Sequence, residues 1–162
     1  MDAVADRRPD SRISRVVGDF VALRNRGFDA EHILVPTAGG PSSDLSAELA
    51  RDFQNVFGSE ITLLNVSDDE AAGTEFLEEW ATENGLDDAT LRVETGSVNT
   101  AIAEAAEDCS MVILGATGRG LLSRMLRGSS VVDVVDQVDC SVIMAERPSR
   151  RSLRERLFGV QK

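Results

Sequence analysis

Apolar residues along this chain fall into two rhythms. Short apolar runs recur as HILV at 32–35, ITLLNV at 61–66, MVIL at 111–114 and SVIMA at 141–145. Runs of that length suit strands buried on both faces. Leu91-Arg92-Val93-Glu94 alternates instead, as an edge or half-buried strand does. Between the runs the spacing becomes helical: Leu45, Leu49, Phe53, Val56 and Phe57; then Phe76, Leu77 and Trp80; then Val98, Ala101, Ile102, Ala105 and Ala106; then Val131, Val134, Val135 and Val138. Ser42 or Ser43, Ser67 or Asp68, Ser97, and Ser129 or Ser130 stand where caps are expected, and Gly58 and Asn84-Gly85 stand at helix ends. Pro36 to Pro41 reads as a loop.

A further helical stripe precedes the first run. Ile13, Val16, Val17, Phe20 and Val21 predict an amphipathic helix over 11–26, closed by Gly27. The remaining order is βαβαβαβαβ with short links. That order predicts an α/β fold: a five-stranded parallel sheet, doubly wound in the order 3-2-1-4-5, with an extra N-terminal helix. The expected division is 1–30 for the helix and linker, 31–146 for the α/β domain and 147–162 for a basic tail. In such a sheet the order reverses between strands one and four, and ligands bind beyond the carboxyl ends there. Two loops would meet at that point, Pro36–Pro41 and Gly115–Gly128.

The second of these loops carries the chemistry. MVILGATGRGLLSRMLRGSS, residues 111–130, holds Gly115, Gly118, Gly120 and Gly128, then Ser129 and Ser130, with Arg119, Arg124 and Arg127 and no acid. Glycines let a backbone approach a ligand closely, and amides at a helix entry bind anions, phosphate above all. The stretch reads as a phosphate cradle, or as a tight strand-to-helix connection with surface arginines. Its position at the order reversal favours the cradle.

Charge sharpens this picture. The chain has 162 residues, a formal net charge of -11 and a single lysine, Lys162. Acids crowd residues 31–146, while arginines gather at both ends. An acidic surface almost without lysine suggests adaptation to a salty cytoplasm, and argues against nucleic acid as a partner. No apolar run reaches the ~20 residues of a membrane helix, and the polar start MDAVADRRPDSR is unlike a secretory signal. The expected location is the cytoplasm, with free thiols at Cys109 and Cys140.

Enzymatic chemistry finds few candidates. The one histidine, His32, starts the first strand, at the end of the sheet away from the ligand loops. No Ser/His/Asp set, zinc site or lysine-bearing phosphate loop can be assembled. No catalytic residue and no metal ligand is expected. Cys109 and Cys140 precede neighbouring strands, where a disulfide is awkward.

Gly115-x-x-Gly118, nine residues, then Gly128-Ser129, after VIL and before the strand SVIMA, resembles the universal stress protein signature. HILVPT and LLNV resemble the opening of the same family, whose fold is the adenine nucleotide alpha hydrolase type. The resemblance implies ATP or AMP as ligand, with Mg accompanying the nucleotide. It implies phosphate contacts at Gly115, Gly118, Gly128 and Ser129, with Ser130 adjacent, and base-side contacts at Pro36, Thr37 and Val66; Thr117, Arg119 and Gly120 of the same loop are expected to join the site. It implies a homodimer or higher oligomer, often built through the last strand. One departure matters: nucleotide-binding members usually carry Asp where this chain has Ala38, so the nucleoside half has lost a partner. The preface SRISRVVGDFVALRNRGFDAEHILVPTAGG resembles the segment joining amino-acid or cation permeases to a cytosolic domain of this family in salt-adapted microbes. The expected function is a nucleotide- or phosphate-responsive regulatory module, and that resemblance would make it part of a membrane transporter at its cytoplasmic face. The alternative is a ligand-free structural dimerisation domain; ATP hydrolysis is the weakest option.

Overall fold

Residues 20–115 and 131–147 are described by the structure, a computed structural model. The strands are β1 (Phe20–Arg24), β2 (His32–Pro36), β3 (Glu60–Val66), β4 (Thr90–Glu94), β5 (Met111–Gly115) and β6 (Ser141–Glu146). The helices are α1 (Pro41–Phe57), α2 (Glu70–Glu83), α3 (Val98–Ala106) and α4 (Val131–Gln137). The sheet order is β1-β6-β5-β2-β3-β4, and every pairing is parallel except β1 on β6. The expected α/β class and the reversal between the first and fourth expected strands, here β2 and β5, are both present.

The buried strands sort their side chains by parity, as the pleat requires. Ile33, Val35, Ile61, Leu63, Met111, Ile113 and Ile143 face α1 and α2, where Leu77 and Trp80 pack against them. Leu34, Leu64, Val112, Leu114 and Val142 face α3 and α4, meeting Ile102, Val134 and Val138. Both faces of the sheet are thus covered, which is why these strands read as unbroken apolar runs.

Two expectations are corrected. The sheet has six strands rather than five, because residues 20–24, expected in a helix over 11–26, form β1. Residues 11–19 of that expected helix lie outside the described residues. The physical reason is the outer edge of β6, whose backbone groups would otherwise lack a ladder. Val21 and Leu23 are exposed while Ala22 and Arg24 are half-buried, a period of two rather than 3.6. The turn that follows is stitched to the start of β6. The Arg26 amide donates to Ser141 Oγ at 2.8 Å, and that hydroxyl donates to the Gly27 carbonyl at 2.7 Å.

The second correction concerns Pro41. It is the first residue of α1, with Gly40 as N-cap at φ 95°, so the loop after β2 is shorter than expected. Proline suits that position because its missing N–H has no intrahelical partner to lose. Ser42 and Ser43 therefore lie inside the helix and are buried, rather than capping it. Likewise α2 is capped by Asp69, whose carboxylate accepts from the Ala72 amide at 3.1 Å, not by Ser67 or Asp68.

Candidate ligand crevice at the carboxyl end of the sheet

β2 and β5 lie side by side, and their chains leave the sheet to opposite faces: β2 leads to α1, β5 towards α4. The crevice between these exits is the reversal point of the sheet. Pro36, Thr37, Val66 and Gly115 border it and are all buried. Of the other residues expected to hold a ligand, Thr117, Gly118, Arg119, Gly120, Gly128, Ser129 and Ser130 lie outside the described residues.

Thr37 is fully buried and heavily bonded. Its amide donates to the Leu64 carbonyl at 2.8 Å, extending the β2–β3 ladder by one step. Its carbonyl accepts from Asn65 Nδ2 at 2.9 Å, and its hydroxyl accepts from the Gly39 amide at 3.1 Å. Gly39 and Gly40, at φ 81° and 95°, then turn the chain into α1. Only glycine takes two successive left-handed positions without strain. Ala38 is half-buried and packs on the cluster that contains Val66 and Leu114. At this border the crevice presents a methyl group, at the position where the resemblance places Asp in nucleotide-binding members.

Gly115 ends β5 against the first turn of α1. A Cβ there would lie 2.8 Å from the Ser42 carbonyl carbon and 2.8 Å from the Ser43 nitrogen, inside contact distance. Here glycine is required by close approach rather than by a left-handed φ. The same turn is tied to the end of β6. The Arg147 amide donates to Ser42 Oγ at 3.0 Å, and its guanidinium grips Glu48 at 2.9 Å through each terminal nitrogen.

Sequence reasoning missed two parts of this frame. Asn65 is a polar residue inside the run ITLLNV, and a buried amide must find a partner, so that signal was present. Gly73 on α2 makes room beneath it: a Cβ there would lie 2.7 Å from Val93 Cγ1 and 3.2 Å from Asn65 Oδ1. The Ser42–Arg147 contact joins residues 105 apart and leaves no mark in the sequence.

His32 sits at the far end of the sheet, where Nε2 meets Glu60 Oε2 at 2.8 Å. Among the described residues no group of three or more His, Cys, Asp or Glu is placed to hold a metal ion. Nor does any described helix have the length and apolarity to cross a membrane.

The fold is a doubly wound α/β domain whose strand order reverses between β2 and β5. Residues 76–146 match the universal stress protein family, which bears out the resemblance read from the sequence. That match includes Gly115–Ser130 and leaves out Pro36, Thr37 and Val66. Similar solved structures include a universal stress protein from Archaeoglobus fulgidus DSM 4304, with TM-score 0.56 and 22% identity, over 74% of this chain and 45% of that one. This chain therefore spans less than half of that relative. A universal stress protein in complex with cAMP has TM-score 0.60 and 19% identity, over 74% and 98% of the two chains. UspA from Lactobacillus plantarum has TM-score 0.56 and 17% identity, over 73% and 99%. No curated protein matches.

Proposed function

We propose that this domain is a nucleotide- or phosphate-responsive binding module that works by binding rather than turnover. The observation that carries this reading is the exit of the glycine-rich segment from Gly115 at the reversal point between β2 and β5. In the proposal, amides of Gly118 and Gly128 and the hydroxyls of Ser129 and Ser130 hold a phosphate. Thr117 and Gly120 complete the turn, and Arg119 and Arg124 offset the charge. The family match over 76–146 covers this phosphate half. The similarity in fold to a protein solved with cAMP makes a nucleoside phosphate a fitting ligand class.

The nucleoside half is weaker. Ala38 offers no hydrogen bond to a ribose, and the amide and carbonyl of Thr37 already have protein partners. ATP, AMP or a simpler phosphate ester would be held mainly through phosphate. Any Mg would come with the phosphates, since the described residues offer it no cluster of ligands. The bound anion would select one arrangement of residues 116–130 and so bias assembly with a second copy or an attached membrane transporter.

β1 occupies the outer edge of β6, the strand through which the resemblance implies assembly. A second copy would meet the outer edge of β1, where Val21 and Leu23 are 48% and 58% exposed. The methyl group of Ala38 also favours a second reading, a structural interaction domain that keeps the glycines for folding alone.

Titration with ATP, AMP, cAMP and inorganic phosphate in high salt, followed by melting temperature, separates the two. The binding reading expects a rise with phosphate-bearing ligands that Gly118→Val abolishes. No shift with any of them makes the structural reading the correct one.

A further inference from the structure

At the other end of the sheet, a cavity of about 460 Å³ opens between the C-terminal ends of α3 and α4. Cys109, Cys140, Gln137, Glu107 and Asp139 line it. These are the two cysteines of the chain, both half-buried and neither in a disulfide. Met111 pairs with Ser141, so the thiols stand at the starts of neighbouring strands. Both pack against the core on the α3 and α4 side, so they share one face as well as one cavity.

The surroundings suit a cation. Glu107 and Asp139 line the same cavity and draw positive charge to it, and the two sulfurs favour a thiophilic ion, which displaces thiol protons by its own charge.

We propose that Cys109 and Cys140 form a two-coordinate site for a soft monovalent d10 metal ion of the Cu(I) class. Zinc would need about four ligands, and the described residues provide no third one. A pair of thiolates satisfies a linear d10 ion, and soft sulfur selects it. Two S–H bonds break and two S–metal bonds form. One cation enters, two protons leave and no electron is transferred. The resulting bis-thiolate complex carries one negative charge, with Arg92 acting on the Cys109 side and Arg24 and Arg26 on the Cys140 side.

The test uses the full chain without oxygen, with Cu(I) competed by a chromogenic chelator. One ion is expected per chain, with two protons released per ion in weak buffer. Cys109→Ser and Cys140→Ser should each lose the ion, with folding checked by circular dichroism. Ag(I), an air-stable ion of the same class, should protect both wild-type thiols from iodoacetamide, a readout that needs no variant. The proposal is overturned by half an ion per chain, by retention in either single variant, by unprotected thiols, or by Zn(II) competing equally.

Discussion

The backbone of Ser42 lies so close to Gly115 that a Cβ on the glycine would sit 2.8 Å from the Ser42 carbonyl carbon. The end of β5 and the first turn of α1 are therefore pressed together backbone to backbone. Gly115→Ala forces one of them to move. The expected cost is ~1–3 kcal/mol, typical of overpacking a buried site, read as a lower urea midpoint with an unchanged slope. An unaltered midpoint would mean that the helix yields freely.

Ser42 also accepts the Arg147 amide within this contact. Ser42→Ala removes this hydrogen bond at a part-buried site, an expected loss of ~1 kcal/mol or more. Glu48→Gln breaks only a partly exposed ion pair, whose side chains are 28% and 45% exposed. Its loss should stay below ~1 kcal/mol and shrink in high salt. Equal losses from the two substitutions would contradict this ranking.

Asn65 holds the crevice floor through its bond to the Thr37 carbonyl. Asn65→Leu should lower stability by ~1–3 kcal/mol, because the Thr37 carbonyl loses its donor at a fully buried residue. Hydrogen exchange at Gly39 and Gly40 should speed up more than at β6. Uniform exchange across the sheet would argue that Asn65 only fills space.

Ala38→Asp is the direct test of the nucleoside half. The carboxylate enters beside an apolar cluster, so the free protein should melt at a lower temperature. If the missing partner is what weakens nucleoside binding, the stabilisation by AMP should grow relative to that by inorganic phosphate. A parallel change for both ligands would place the defect elsewhere.

The Cys109 thiol gives a pH signature. Burial pushes it up to about 11 in the folded state, above the ordinary thiol value of 9.0, so the folded state holds the proton more tightly than the unfolded chain does. The stability this contributes is complete below pH ~9 and is lost as pH rises through about 11. Cys109→Ser should flatten the alkaline fall in melting temperature, and a fall of the same steepness would exclude the thiol as its source.

The four buried strands were legible because burial on both faces leaves each run mostly apolar. The crevice was legible as a topological consequence of their order, with Gly115 at its border. β1 was not. Phe20 and Val21 continue the i, i+3, i+4 spacing from Ile13, and the same residues also fit an alternating strand. Only the free edge of β6 decides between them, and an edge is a tertiary fact. The start of α1 was misread for a related reason: Pro41 ends most regular structure but suits a first helical turn. The bond between Ser42 and Arg147 depends on two distant segments arriving together, which no local pattern encodes.

The antiparallel run of β1 sets Phe20 opposite Glu146, so the chain enters the sheet and leaves it side by side at the crevice end. The segments before Phe20 and after Arg147 are joined at that end of the sheet, and the sequence after Arg147 carries Arg150, Arg151, Arg154, Arg156 and Lys162. Among the described residues the body is strongly acidic, with Arg24, Arg26, Arg51, Arg92 and Arg147 its only arginines. If the proposed phosphate site is real, arginines attached at that end of an acidic body would draw an anion towards it, and added salt should slow capture far more than it hastens release.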